Sequence, residues 1–153
     1  MPDEWNVGLL LFVPYRAMET RVLEALVAAG FDDLTMAQVR VMARLAPGGS
    51  RLTELADQAR VTKQTAGFLV DQLEGHGYAQ RVPDPTDGRA RLVRLAGRGE
   101  AAAEVAAATV AQVEAEWGAH LGAARMRALR AALEQLRAIT DVPPRSAADV
   151  RRS

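Results

Sequence analysis

The 153-residue chain carries 19 basic and 19 acidic residues, is 49% hydrophobic and only 5% aromatic, and has no cysteine. Disulfides, thiolate metal centres and cysteine redox sensing are thereby excluded, and two histidines as distant as His76 and His120 give no zinc site. The length suits one domain with a core of Leu, Val and Ala, no apolar run reaches the length of a membrane span, and the acidic start MPDEWNVGLLLFVPYR lacks the basic leading region of a signal peptide, so a cytoplasmic location is expected.

Trp5 to Ala29 reads as a helix, because Leu11, Tyr15, Met18, Val22 and Leu26 recur at helical spacing. An interior proline costs about 3 kcal/mol, so at Pro14 the helix either kinks or begins; a kink is the reading adopted. Gly30 ends it. Thr35-Met-Ala-Gln38 has the form of a capping box. With Val39, Met42 and Leu45 it predicts a second helix over about 36–46, stopped by Pro47-Gly48-Gly49. Ser50 to Leu52 is a short extended piece, after which Thr53 can cap a helix from Glu54 to Ala59. Thr62 can cap a fourth helix from Lys63 to about His76, with Gly77 behind it and Ala66, Leu69, Val70 and Leu73 as its apolar face.

Tyr78 to Val82 and Arg89 to Leu95 flank the turn cluster Pro83-Asp-Pro-Thr-Asp-Gly88 and predict a β-hairpin. A long helix from about Arg98 carries Val110, Val113, Trp117 and Leu121 on one face, and Gly122 breaks it. Met126, Leu129, Leu133, Leu136 and Ile139 mark a last helix, ended by Pro143-Pro144, and a polar tail without order is expected over 143–153.

Charge is unevenly placed. From Arg81 to Arg98 five arginines face two aspartates, whereas Met1 to Pro47 holds four basic and six acidic residues. A local basic segment is what a phosphate-binding surface requires. Two helices joined by a very short turn at Arg60-Val61 and followed by a basic hairpin make a winged helix-turn-helix. Such a unit needs a small residue where its helices cross, for which Ala56 is available, and an apolar residue in the turn, for which Val61 is available. It also needs polar side chains on the first turn of the second helix, which enters the major groove. Lys63, Gln64 and Thr65 stand there. Gln64 suits bidentate pairing with adenine, and Lys63 suits guanine or a phosphate. A solvated first turn is the plainer reading of these three residues alone.

The stretch Leu52-Thr-Glu-Leu-Ala56, Val61-Thr-Lys-Gln-Thr65, Leu69-Val-Asp-Gln-Leu73, Gly77-Tyr78 and Arg81-Val-Pro-Asp-Pro-Thr-Asp-Gly-Arg89 resembles the MarR family of multiple antibiotic resistance regulators. The resemblance implies a mainly α fold: a winged helix-turn-helix lobe over about 35–95, and dimerisation helices over about 5–29 and 98–140, within one domain over 1–142. It implies a non-enzymatic regulator, usually a repressor, that binds palindromic double-stranded DNA as a homodimer. The implied DNA-binding residues are Thr53, Thr62, Lys63, Gln64, Thr65, Arg81, Asp87, Arg89 and Arg91, with Arg89 in the minor groove and Asp87 holding its guanidinium. Leu129, Leu133, Leu136 and Ile139 would form the dimer interface.

Family members often take small aromatic or phenolic anions, which implies a ligand role for Phe12, Tyr15, Arg16 and Trp117; core or dimer packing is the plainer role for these residues and for Trp5. His120 reads as a surface or interface residue, and His76 as a partner of the helix dipole. The alternative function is a winged-helix interaction module that has lost DNA binding. No nucleophile–base pair, phosphate-binding glycine loop or metal cluster suggests an enzyme. No cofactor is expected.

Overall fold

A computed structural model describes residues 4–141; the tail expected over 143–153 lies outside the described residues. The described chain is mainly helical, with six helices and one two-stranded antiparallel hairpin. α1 (Val7–Ala28) is capped by Asn6, whose side chain accepts from the Leu9 amide at 3.0 Å. It is one continuous helix across Pro14, which falls on an exposed stretch.

α2 (Met36–Met42) starts at the expected capping box: the Gln38 amide donates to Thr35 Oγ1, and Gln38 Oε1 accepts from the Thr35 amide. It ends earlier than the sequence pattern suggested. The Ala46 amide is taken by Ser50 Oγ at 3.0 Å, and Ala46 O accepts from the Gly49 amide, so the chain turns there instead.

α3 (Leu52–Ala59) begins two residues before the expected start, with Arg51 at its cap and no side-chain cap bond. Thr53 is thus an exposed first-turn residue and not a cap. Starting at Leu52 lets Leu52 pack on the core and Leu55 lie within it. Ala56 is buried, while Val61 in the turn is only half-buried. Arg60 makes that turn in the left-handed region (φ 59°). α4 (Lys63–Gly75) is capped by Thr62 and buries Ala66, Leu69, Val70 and Leu73, as its periodicity predicts.

β1 (Ala79–Asp84) and β2 (Asp87–Leu95) pair from Ala79 with Leu95 to Pro83 with Arg91, with an irregularity between Pro83 and Asp84. The hairpin is therefore longer than expected, and its tip is only Pro85-Thr86. Ser50 adds a one-residue bridge to Val93, with both amide bonds at 2.8 Å. α5 (Gly97–Leu121) and α6 (Ala123–Thr140) meet at Gly122, whose φ of +89° suits glycine.

The core runs from the second half of α1 through α2, α3 and α4 to β2 and α5, and Tyr78 is fully buried within it. The Tyr78 hydroxyl donates to Asp33, the Arg98 guanidinium lies 4.3 Å above its ring, and Phe31 packs at a tilt beside it. Burial, followed by the Asp33 carboxylate, pushes the Tyr78 phenol up to about 12. Arg98 also donates to Asp33 Oδ2 and to the His76 carbonyl, both at 2.9 Å. The first turn of α5 can approach only because residue 99 is glycine: a Cβ there would stand 2.0 Å from the Tyr78 carbonyl oxygen. Gly99→Ala should therefore destabilise the protein by about 1–3 kcal/mol, as overpacking does. Thermal unfolding at fixed protein concentration checks this, and an unchanged midpoint contradicts it.

Candidate nucleic-acid interface

The first turn of α4 presents Lys63, Gln64 and Thr65 to solvent. Thr62 Oγ1 accepts the Thr65 amide at 3.1 Å and donates to Thr65 Oγ1 at 2.9 Å. The Thr62 hydroxyl is thus occupied by its cap, whereas Thr65 keeps a proton to donate outward. Among the described residues, the Lys63 and Gln64 side chains have no hydrogen-bonding partner. The buried Gln38 amide donates to Gln72 Oε1 at 3.1 Å and ties α2 to the side of α4.

Two clamps position the hairpin. At its tip the buried Asp84 carboxylate accepts from Arg51 Nε and Nη2 at 3.1 and 2.9 Å. It also accepts from the Thr86 amide and hydroxyl at 2.9 and 2.7 Å. These donors, the Thr86 amide foremost, hold Asp84 below the ordinary carboxylate range. At the base of the hairpin Arg81 reaches back to α4. It donates to Asp71 at 2.8 Å and to Glu74 at 3.1 Å, and Glu74 also accepts the Arg81 amide.

Three residues of this segment are engaged within the chain. Arg81 is held by two carboxylates and fixes the hairpin to α4. Asp87 does not hold the Arg89 guanidinium: it accepts the Arg89 backbone amide at 3.1 Å, and its other oxygen lies 3.8 Å from Arg51. The carboxylate turns inward because Arg51, at the cap of α3, is the cation beneath the tip. Arg98 belongs to the Tyr78 cluster. Of the five arginines in the basic segment, Arg89, Arg91 and Arg94 remain exposed on β2. Arg91 makes one bond, to the Arg81 carbonyl at 3.3 Å. Arg51 and Asp84, 33 residues apart in sequence, were not singled out from the sequence. A polar residue flanking a turn gave the only signal, and it does not identify a distant partner.

A cavity of about 390 Å³ lies between α1, α2 and α5, lined mainly by apolar side chains, with Tyr15, Glu19 and Arg40 as its polar members. Glu19 is buried and accepts from Arg40 Nε and Nη2 at 2.6 and 2.8 Å and from Arg16 at 3.0 Å. The Arg40 bonds, above all, lower Glu19 to about 2. Burial, then Glu19, raises the Tyr15 phenol. Of the expected ligand residues only Tyr15 lines this space. Arg16 is half-buried in its pair with Glu19, Phe12 is exposed, and Trp117 lines a separate groove between α5 and α6. Arg40 and Glu19, which the sequence reading passed over, take the polar end instead.

The terminal helices leave apolar surface open. α6 buries no residue; Leu133 is 37% and Ile139 82% exposed, with Leu136 similarly open and Leu129 half-buried. Trp5, Val7 and the run from Leu9 to Val13 are exposed at the start of α1. No described helix is long and apolar enough to cross a membrane.

A family model described as "MarR family" matches residues 32–90, from the approach to α2 to just past the hairpin tip. No curated protein matches the chain. Among solved structures, a MarR family protein of Mycobacterium tuberculosis in complex with salicylic acid is 29% identical. The match covers 89% of this chain and 99% of that one, with a TM-score of 0.64. MarR of E. coli in its apo form is 24% identical, over 88% and 98% of the two chains, with a TM-score of 0.66. CouR of Rhodococcus jostii RHA1, bound to p-coumaroyl-CoA, is 23% identical over 90% and 96%, with a TM-score of 0.69. The last two likenesses concern the fold alone.

Asp84→Ala should loosen the hairpin tip far more than Asp87→Ala, because it removes the anchors of both Arg51 and Thr86. Limited trypsin digestion, cutting after Arg89 and Arg91, reads this as faster cleavage of the wing; equal cleavage of the two variants contradicts it. In the native chain Asp84 has a depressed pKa, so its anchoring is intact through the ordinary carboxylate range. It is lost only as the pH falls through that depressed value.

Proposed function

We propose that the chain is a member of the MarR family of transcriptional regulators, to which residues 32–90 and the fold are similar, and that it is a cytoplasmic, ligand-responsive repressor that binds a palindromic DNA duplex as a homodimer. The observation that carries the DNA-binding surface is the pair Lys63 and Gln64: polar, exposed and, among the described residues, without a side-chain partner at the start of α4. The N-terminal end of α4 enters the major groove, where Gln64 pairs with adenine N6 and N7, and Lys63 meets guanine or a phosphate. Thr65 donates its hydroxyl to the same surface, and Thr53, at the start of α3, faces the phosphates beside it. Thr62 contributes by shaping the helix start. The wing brings Arg89 and Arg91 to the neighbouring minor groove, whose negative potential is strongest over A·T-rich steps. Asp87 supports that contact through the Arg89 backbone.

A dimer follows from the open faces of α1 and α6. Contiguous exposed apolar surface is costly to leave in water, and pairing these faces with a second copy covers Leu129, Leu133, Leu136 and Ile139. Two-fold symmetry then sets two α4 helices about 34 Å apart, one turn of DNA. The ligand reading rests on the cavity between α1, α2 and α5. Its apolar walls suit an aromatic ring, and Tyr15 and Arg40 suit a hydroxyl or carboxylate at one end. The salicylic acid held by the Mycobacterium tuberculosis relative has that chemistry. A ligand there releases DNA only if it binds better to an arrangement that fits the duplex less well.

Gln64→Ala should lose about 1–3 kcal/mol of discrimination between the preferred site and a site with the wrong base, with smaller loss on unrelated DNA. Competition binding measures this, and unaltered site preference removes Gln64 from base reading. For the native protein, log affinity should fall linearly with log salt as counterions are released; salt-independent binding would contradict phosphate contact. Leu133→Glu should shift the mass in light scattering from dimer to monomer, since it buries an unpaired carboxylate in the seam. An unchanged dimer mass places the interface elsewhere.

A further inference from the structure

Phe68 is 61% exposed on α4. Every other large hydrophobic residue so exposed among the described residues lies at the start of the chain before α1, on α1 or on α6, the helices assigned to dimer pairing. Phe68 alone stands on the helix-turn-helix lobe. Its place on the helix is informative. One turn beyond Gln64, it shares Gln64's face, opposite the buried row of Ala66, Leu69, Val70 and Leu73. Its neighbours on that side are Gln64 and Thr65 one turn before it, and Asp71 and Gln72 one turn after it, with Asp71 already paired to Arg81. Phe68 takes no part in the lobe's core, which Ala66, Leu69, Val70 and Leu73 enter from the other side of α4. A bare phenyl ring among polar groups is a poor choice for a merely solvated face.

We propose that Phe68 is a specificity residue that packs its ring on the 5-methyl group of a thymine in the major groove, next to the base read by Gln64. The inference rests on the DNA-binding reading of α4 and names one of the bases it selects. The chemistry is direct. Thymine alone among the four bases offers a methyl group to the major groove, and apolar side chains recognise it by contact. The surroundings favour this occupant over a second protein: Arg81 neutralises Asp71 one turn beyond Phe68, and Arg91, which donates to the Arg81 carbonyl, brings an exposed cation from β2 to this side of α4, as phosphates need. The two contacts are complementary. Gln64 reads a hydrogen-bonding pattern, and Phe68 reads a methyl group that has none.

The test starts from duplexes that the full-length protein selects out of a random pool. Each thymine in a selected half-site is replaced in turn by deoxyuridine, which removes only the methyl group. One thymine per half-site should then weaken binding by about fourfold, the worth of burying a group of that size. Phe68→Ala should bind the thymine and deoxyuridine duplexes equally well, while Phe68→Leu should keep part of the preference. Because Phe68 lies outside the core, both variants should unfold at the native temperature and keep the native mass. The proposal is overturned if no deoxyuridine substitution weakens native binding, if the selected half-sites contain no thymine, or if Phe68→Ala retains the full preference. It is also overturned if Phe68→Ala changes the mass of the free protein, which would make the ring a contact between copies. A protein that selects no duplex overturns the DNA-binding reading itself, and the thymine contact with it; the other failures leave that reading standing.

Discussion

The proposed DNA surface depends on the ion pair between Arg51 and Asp84. A two-stranded hairpin is at best marginally stable alone in water, and this one projects three exposed arginines from β2. Without an anchor its tip would carry that charge through a wide arc. Asp84 supplies the anchor by turning one oxygen to Arg51 at the cap of α3 and the other to the amide and hydroxyl of Thr86. The same carboxylate thus closes the turn and fastens it to the first helix of the helix-turn-helix. Arg81, held by Asp71 and Glu74, fastens the other end of the hairpin to the second helix. With both ends fixed, the spacing between the wing and the start of α4 becomes a property of the fold.

A second linkage joins this lobe to the long helices. Tyr78 lies where α4 ends and β1 begins. Its hydroxyl meets Asp33 before α2, its carbonyl abuts Gly99 in α5, and its ring lies under Arg98. A displacement of α5 therefore cannot leave the end of α4 untouched. The cavity adjoins the same face of α5 further along the helix, between α1, α2 and α5. The end of α6 also reaches the lobe: Asp141 pairs with Arg44 at 2.6 Å, and the Thr140 carbonyl accepts from Arg60 in the helix-turn-helix turn. In the proposed dimer, occupancy of the cavity and the spacing of the two α4 helices would thus share common struts.

Much of the fold was legible because its determinants are local. The capping box at Thr35, the cap at Thr62 and the apolar row of α4 act within a few residues, and the starts of α2 and α4 stand where the pattern predicted. Departures came where a distant partner decided. Thr53 yields the helix start to Leu52, whose burial is set by the core, and α2 stops early because Ser50, bridged to Val93, captures the Ala46 amide. At the site, helix position revealed Lys63 and Gln64. Net charge overstated the free arginines, because counting cannot show that Arg81 and Arg98 are each paired within the chain. Glu19 and Arg40 escaped notice for the same reason: their bidentate pair joins α1 to α2 across 21 residues.

Amide hydrogen exchange, compared between the free protein and the protein bound to a selected duplex, tests the assigned DNA surface most directly. Slower exchange is expected around Thr62 to Phe68 and around the wing tip from Asp84 to Arg91, since both would lie against the duplex. Tight duplex binding that leaves exchange in both segments unchanged would contradict the assignment.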